Sequence, residues 1–183
     1  VATALFNRGV VRGQQGKSEE AIADYTRAIE LPGAPAEPVA NALVNRGVVR
    51  GQQGKSEEAI ADYTRAIELP GAPAEQVANA LVNRGWARYQ TNEYESFLSD
   101  TERAIRADAT NPSANANLGL ARLAVRKDAE ALVAYQTMVV RYPSICREAL
   151  TDVREAQKTW LSADRARPIL DLLERTCGDP PPA

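Results

Sequence analysis

Helix pairs stacked end to end, an all-α solenoid, are what this sequence encodes, and three features say so. Residues 4–41 and 42–79 are the same 38-residue unit written twice, differing only where Phe6 becomes Val44 and Pro38 becomes Gln76. A third, drifted copy begins at once with Ala78-Asn79-Ala80-Leu81-Val82-Asn83-Arg84-Gly85. A fixed period of this length marks a stacked-repeat architecture, in which each unit buries its apolar face only against its neighbours. Within a unit, apolar residues such as Ala21, Ile22, Tyr25, Ala28 and Ile29 recur at three- and four-residue spacing, the signature of an amphipathic helix. No segment alternates with a period of two, so strands are not expected.

Gly9, Gly47, Gly85 and Gly119 index four units, at intervals of 38, 38 and 34 residues. The units span 1–38, 39–76, 77–110 and 111–144, and each reads as two helices. In the first, a helix from Ala4 to about Arg12 meets a break at Gly13-Gln14-Gln15-Gly16. Ser18 is then a natural N-cap, with Glu19 and Glu20 in the first turn, where the helix dipole favours acids. Pro32-Gly33-Ala34-Pro35 stops this second helix, and Pro35 suits the first turn of the next. After Pro143 the pattern changes. Ile145, Ala149, Val153, Ala156, Trp160 and Leu161 predict a longer helix, and Ile169, Leu170, Leu172 and Leu173 a shorter one bounded by Pro168 and Gly178. This pair, 145–178, is expected to cap the open face of the last repeat, with 179–183 a proline-rich disordered tail.

The pattern Asn-Arg-Gly followed by Gly-Lys-Ser-Glu-Glu-Ala-Ile-Ala-Asp-Tyr-Thr-Arg-Ala-Ile-Glu-Leu resembles the tetratricopeptide repeat. The family's small first-helix residue matches Gly9, Gly47, Gly85 and Gly119, and its small second-helix residue Ala21, Ala59 and Ala131. Its aromatic matches Tyr25, Tyr63 and Tyr135, its late alanine Ala28, Ala66 and Ala104, and its closing proline only Pro143. The resemblance covers about residues 1–144. It implies a right-handed superhelix of antiparallel helix pairs whose first helices line a concave, peptide-binding groove.

The departures from that pattern carry information. Four extra residues at 33–38, and again at 71–76, amount to one helical turn, so each following first helix is expected to start a turn early. In the third unit Phe97 replaces the small Ala21 and Ala59, while Thr101, four residues on, replaces the large Tyr25 and Tyr63. The two sites adjoin on one helix face, so volume is roughly conserved.

Composition narrows the function. A net charge of −2 offers no basic field to hold a phosphate backbone, so nucleic-acid binding is not expected. Arginine outnumbers lysine 18 to 4, as readily a mark of a GC-rich genome as of function. No apolar run reaches the ~20 residues that span a bilayer, so membrane insertion is not expected. Nothing at the start resembles a signal peptide, but Val1 opens within a repeat, so the chain reads as a fragment and the missing signal says nothing of compartment. The sequence has no histidine, which removes Ser-His and Cys-His nucleophiles and histidine metal sites. Gly16-Lys17-Ser18 echoes the end of a phosphate-binding loop, but Val11 stands where its first glycine belongs and no strand precedes it. Adjacent acids such as Glu19 and Glu20 point apart on a helix. No enzyme, cofactor or metal is expected.

Asn7, Asn45, Asn83 and Asn117 each lie two residues before an indexing glycine, so one amide projects from every first helix at the same angle. An amide both donates and accepts, and so can pair with the main chain of an extended peptide whatever its side chains. The resemblance implies that this row lines the groove; the alternative is that each amide bonds a neighbouring helix. Phe6, Val10, Val44, Val48 and Val82 are expected beside it, with Trp86 and Tyr89 entering where the earlier units have valine and glycine. These aromatics read either as anchors for a bound side chain or as packing against the next helix. Where related clamps for carboxylate tails carry lysine and arginine, this chain has Thr3, Asn41, Asn79, Phe6, Val44 and Val82, so that mode is not expected.

A second row pairs Arg8, Arg46 and Arg84 with Asp24, Asp62 and Asp100 at matching positions of the second helices. In the fourth unit the arginine becomes Leu118 and the aspartate position Ala134. The joint change predicts three structural ion pairs within units, replaced once by an apolar contact. Cys146 and Cys177 flank the last hairpin; antiparallel helices place them at one end, which makes a disulfide feasible in an oxidising, periplasmic or secreted setting, with two cytosolic thiols the alternative.

The reading is a non-enzymatic scaffold that binds a peptide or partner segment in its groove. The rivals are a homo-oligomer formed by end stacking on a face carrying Leu5, Ile22, Tyr25 and Ile29, and a regulatory segment of a larger protein.

Overall fold

A computed structural model gives the fold and describes residues 1–177. The expected tail at 179–183 and the Gly178 boundary lie outside the described residues. In order, the helices are α1 (Ala2–Gln14), α2 (Ser18–Glu30), α3 (Ala36–Gln52), α4 (Ser56–Glu68) and α5 (Ala74–Gln90). They continue with α6 (Tyr94–Ala107), α7 (Pro112–Ala124), α8 (Asp128–Arg141), a 3-10 turn at Pro143–Ile145, α9 (Cys146–Gln157) and α10 (Ala163–Cys177). Among the described residues there is no strand.

Local chemistry refines several expected boundaries. α1 runs through Gly13 to Gln14, and the reversal falls at Gln15 and Gly16, where Gly16 takes φ 75°. The same left-handed position recurs as Gly54 (φ 76°), Asn92 (φ 63°) and Arg126 (φ 62°). Ser18 is the first helical residue rather than the N-cap; Lys17 holds the cap position, and no side chain caps the helix. Pro35 likewise stands just outside α3, as its cap. α3 and α5 have 17 residues against 13 in α7, so the four-residue insertions do lengthen each following helix by one turn. The last pair reverses the expected proportions. α9 has 12 residues and α10 has 15, with Pro168 inside α10 rather than bounding it. Pro168 is exposed, so the carbonyl that its missing N–H leaves unpaired can turn to water.

Each unit closes around one glycine. A Cβ on Gly9, Gly47 or Gly119 would lie 2.6, 2.5 or 2.5 Å from the ring of Tyr25, Tyr63 or Tyr135, so each ring rests on bare backbone. In the third unit the Phe97 ring takes that place, 3.2 Å from a Cβ built on Gly85. Phe97 is 0% exposed and Thr101 1%, with the Thr101 hydroxyl donating to the Phe97 carbonyl at 2.8 Å. The exchange of small–large for large–small repacks the unit without opening it to water.

Curvature follows from which helices touch. α1 packs on α3, α3 on α5, α5 on α7 and α7 on α9, forming a continuous inner row. Among the described residues the second helices make no comparable contacts with one another, except α8 with α10. First helices therefore line the concave side, and second helices splay along the convex one.

Candidate functional site on the concave face

The inner row presents its amides in sequence. Asn45 Nδ2 donates to the Asn41 carbonyl and Asn83 Nδ2 to the Asn79 carbonyl, both at 2.9 Å. Each amide thus spends one N–H on its own helix and bonds no neighbouring helix. Its Oδ1 and second N–H have no protein partner among the described residues. Asn117 is half-buried and lines a cleft with Asn83, whereas Asn7 is exposed.

Two clefts open along this face. One, between α3 and α5, is lined by Val48, Gly51, Gln52, Tyr63, Asn83, Trp86 and Gln90. The other, between α5, α7 and α9, is lined by Val82, Asn83, Trp86, Ser113, Asn117, Glu148 and Asp152. Asn83 and Trp86 belong to both. Val44 does not: at 8% exposed it packs in the core with Val39 and Leu43, a correction to its expected place in the groove. Phe6 is half-buried, its ring tilted against Tyr25 with centroids 6.1 Å apart.

The two aromatics divide their roles. Trp86 stacks on Tyr89 (centroids 5.1 Å, 28°) and meets Phe97 edge-on at 6.4 Å. Tyr89 is a packing residue: its hydroxyl accepts from Trp160 Nε1 at 3.1 Å, and its ring contacts Phe97 and Tyr94. That cluster ties the segment after α9 to α5 and α6, and Trp86 is what it presents to the clefts.

Behind the groove, arginine forks hold the first three helix pairs. Arg46 gives Nε and Nη2 to the two Asp62 oxygens at 2.9 and 2.6 Å, and Arg84 does the same to Asp100 at 2.9 and 2.7 Å. Arg8 meets Asp24 at 2.8 and 2.7 Å, and these bonds hold the Asp24 carboxyl below the usual range. Sequence reasoning missed the second arginine at each site. Arg12, Arg50 and Arg88 donate to the same aspartates at 2.7, 2.6 and 2.7 Å; their signal was a position four residues on, repeated in register. Arg46 and Arg84 also reach back to Thr26 and Thr64 of the preceding unit at 2.8 and 2.9 Å. Asn111 was missed too. It caps α7 by accepting from the Ala114 N–H and donates to Asn79 Oδ1, both at 2.9 Å.

Cys146 and Cys177 are joined by a disulfide, with Cα atoms 5.6 Å apart, which pins α9 to α10. Among the described residues no group of three or more acids and cysteines gathers as metal ligands would. No helix among them is long and apolar enough to cross a membrane.

Residues 2–31 and 40–69 each match the family model of the tetratricopeptide repeat. These two segments are tetratricopeptide repeats. Solved structures of such proteins share the fold over most of the chain's length. YrrB, described as a tetratricopeptide repeat protein with an unusual peptide-binding site, is 17% identical, with 98% of this chain and 88% of that one aligned at a TM-score of 0.69. PilF of Pseudomonas aeruginosa is 22% identical over 99% and 78%, with a TM-score of 0.67. The first tetratricopeptide domain of Spaghetti (RPAP3), bound to the HSP90 peptide SRMEEVD, is 26% identical over 65% and 93%, with a TM-score of 0.56. A search of the curated proteins finds no sequence match. The tetratricopeptide fold supports a protein–protein interaction scaffold, and such repeats are generally non-enzymatic modules.

Proposed function

We propose that this scaffold holds an extended segment of a partner protein along its concave face. The observation that carries the reading is the row of half-buried amides at Asn45, Asn83 and Asn117. Asn45 and Asn83 are steadied by their own helices and keep hydrogen-bonding capacity to spare. An extended chain offers alternating N–H and C=O groups, which such amides can meet without regard to side chains. Val48, Val82 and Trp86 supply apolar surface beside them, and Trp86 serves both clefts. RPAP3 holds an acidic HSP90 peptide. This chain places threonine, asparagine and apolar residues where a clamp for such a tail needs cations, and its ligand is of another chemistry.

An array of random peptides probed with the purified protein tests the reading. Binding should fall by about tenfold or more for Asn45→Ala combined with Asn83→Ala, with the melting temperature nearly unchanged. An array that captures nothing, or capture indifferent to both substitutions, rejects it.

A further inference from the structure

The concave face changes character along its length. The α3–α5 cleft is lined by no acidic or basic side chain other than the Tyr63 phenol, which is neutral at pH 7. The next cleft, a space of about 200 Å³ between α5, α7 and α9, adds Glu148 and Asp152 and no basic residue. The two acids stand one turn apart on the same face of α9.

Neither has a hydrogen-bond or ion-pair partner among the described residues. That sets Asp152 apart from the other shielded aspartates. Asp24, Asp62 and Asp100 each meet two arginines of the facing helix, and Asp128 meets Arg165. Burial first, and the charge of Glu148 second, push the Asp152 carboxyl up to about 6. A second buried group is also unsatisfied. Tyr135 is 1% exposed and its hydroxyl has no hydrogen-bond partner among the described residues. Its ring crosses Gly119 of α7 as that of Tyr63 crosses Gly47, and Tyr63 lines the preceding cleft. The Asp152 charge acts on the Tyr135 hydroxyl, although Tyr135 is not among the residues that line the cleft.

We propose that the cleft between α5, α7 and α9 receives a cationic side chain, arginine or lysine, of the peptide held along the concave face. The inference rests on the peptide-binding reading above. A cation there would lie between the carboxylates of Glu148 and Asp152 and the indole of Trp86, whose ring face attracts positive charge. Its N–H groups can also donate to the amide oxygens of Asn83 and Asn117, which line the same cleft. The indole stands only in the repeat that borders these acids; its counterparts are Val10 and Val48.

The test takes peptides from the array and replaces each arginine in turn by citrulline, which keeps the shape and loses the charge. At one position citrulline should weaken binding by about tenfold or more. In the variant carrying Glu148→Gln and Asp152→Asn the arginine and citrulline peptides should bind alike. Captured peptides without a basic preference, or discrimination that survives the double substitution, would overturn the inference and leave the groove reading standing. Capture indifferent to Asn45→Ala and Asn83→Ala would overturn both.

Discussion

Asp24, Asp62 and Asp100 sit 0–1% exposed, each between two arginines of the facing helix, and the surroundings of those arginines differ. The Arg46 and Arg84 side chains are 6% exposed, whereas that of Arg8 is 49% exposed. Removing Asp62 strands a buried guanidinium, so Asp62→Ala should destabilise by about 3–5 kcal/mol. Asp24→Ala should cost distinctly less, because water can reach Arg8; chemical denaturation of both variants checks the order. Arg46→Leu with Asp62→Ala copies the fourth unit, where Leu118 and the 7% exposed Ala134 stand at these positions, and should recover much of the loss. Glycine positions offer a second graded test. Gly47→Ala drives a methyl into Tyr63 and should cost about 1–3 kcal/mol, while Gly85→Ala against Phe97 at 3.2 Å should cost less. The forks were legible in the sequence because arginine and aspartate change together in the fourth unit. The second arginine was not, since a charged residue at a helix end usually reads as solvated.

Among the helices, length and order were legible wherever the repeat persists, because four inserted residues can only be one more turn. The last hairpin was misread where the repeat ends: Pro168 looked like a boundary, but at an exposed position of α10 the lost backbone bond can be made good by solvent. The turn position Gly16–Gly54–Asn92–Arg126 ends in a residue with a side chain at φ 62°. Arg126→Gly should therefore stabilise the protein by about 0.5–1 kcal/mol, read from its unfolding midpoint. Among the described residues the α9–α10 hairpin has packing neighbours on one side only, and its disulfide closes a separation of 31 residues. In the chain-entropy model that closure contributes about 3–4 kcal/mol. Hydrogen exchange under reducing conditions should rise first in α9 and α10, with the helices from α1 to α6 unchanged; uniform acceleration would contradict a local role.

For the molecule as a whole, the outer side of α1 and α2 is uncovered by any described helix. Leu5 is half-buried there, where its repeats Leu43 and Leu81 are 1% exposed. Light scattering across a concentration series tells whether copies associate there. The concave row was legible as a spacing of asparagines. Its acidic cleft was not, because only the superhelix brings α9 against Asn83 and Trp86 of α5. That cleft also has a pH signature. Asp152 is raised from the ordinary 3.8 to about 6 by burial and by Glu148. Between pH ~4 and about 6 the folded chain therefore holds a proton that the unfolded chain has released. Its contribution to stability is full below pH ~4 and is lost as the pH rises through about 6. Asp152→Asn should remove that dependence and raise Tm at pH 7 by about 2–4 °C.

The central claim is that the first helices bind and the second helices do not. The most direct measurement is a nuclear magnetic resonance titration of the protein with a peptide taken from the array. The side-chain amide signals of Asn45, Asn83 and Asn117 and the indole N–H of Trp86 should shift together and saturate at one affinity. Shifts confined to α2, α4, α6 and α8, with those four signals unmoved, would contradict it.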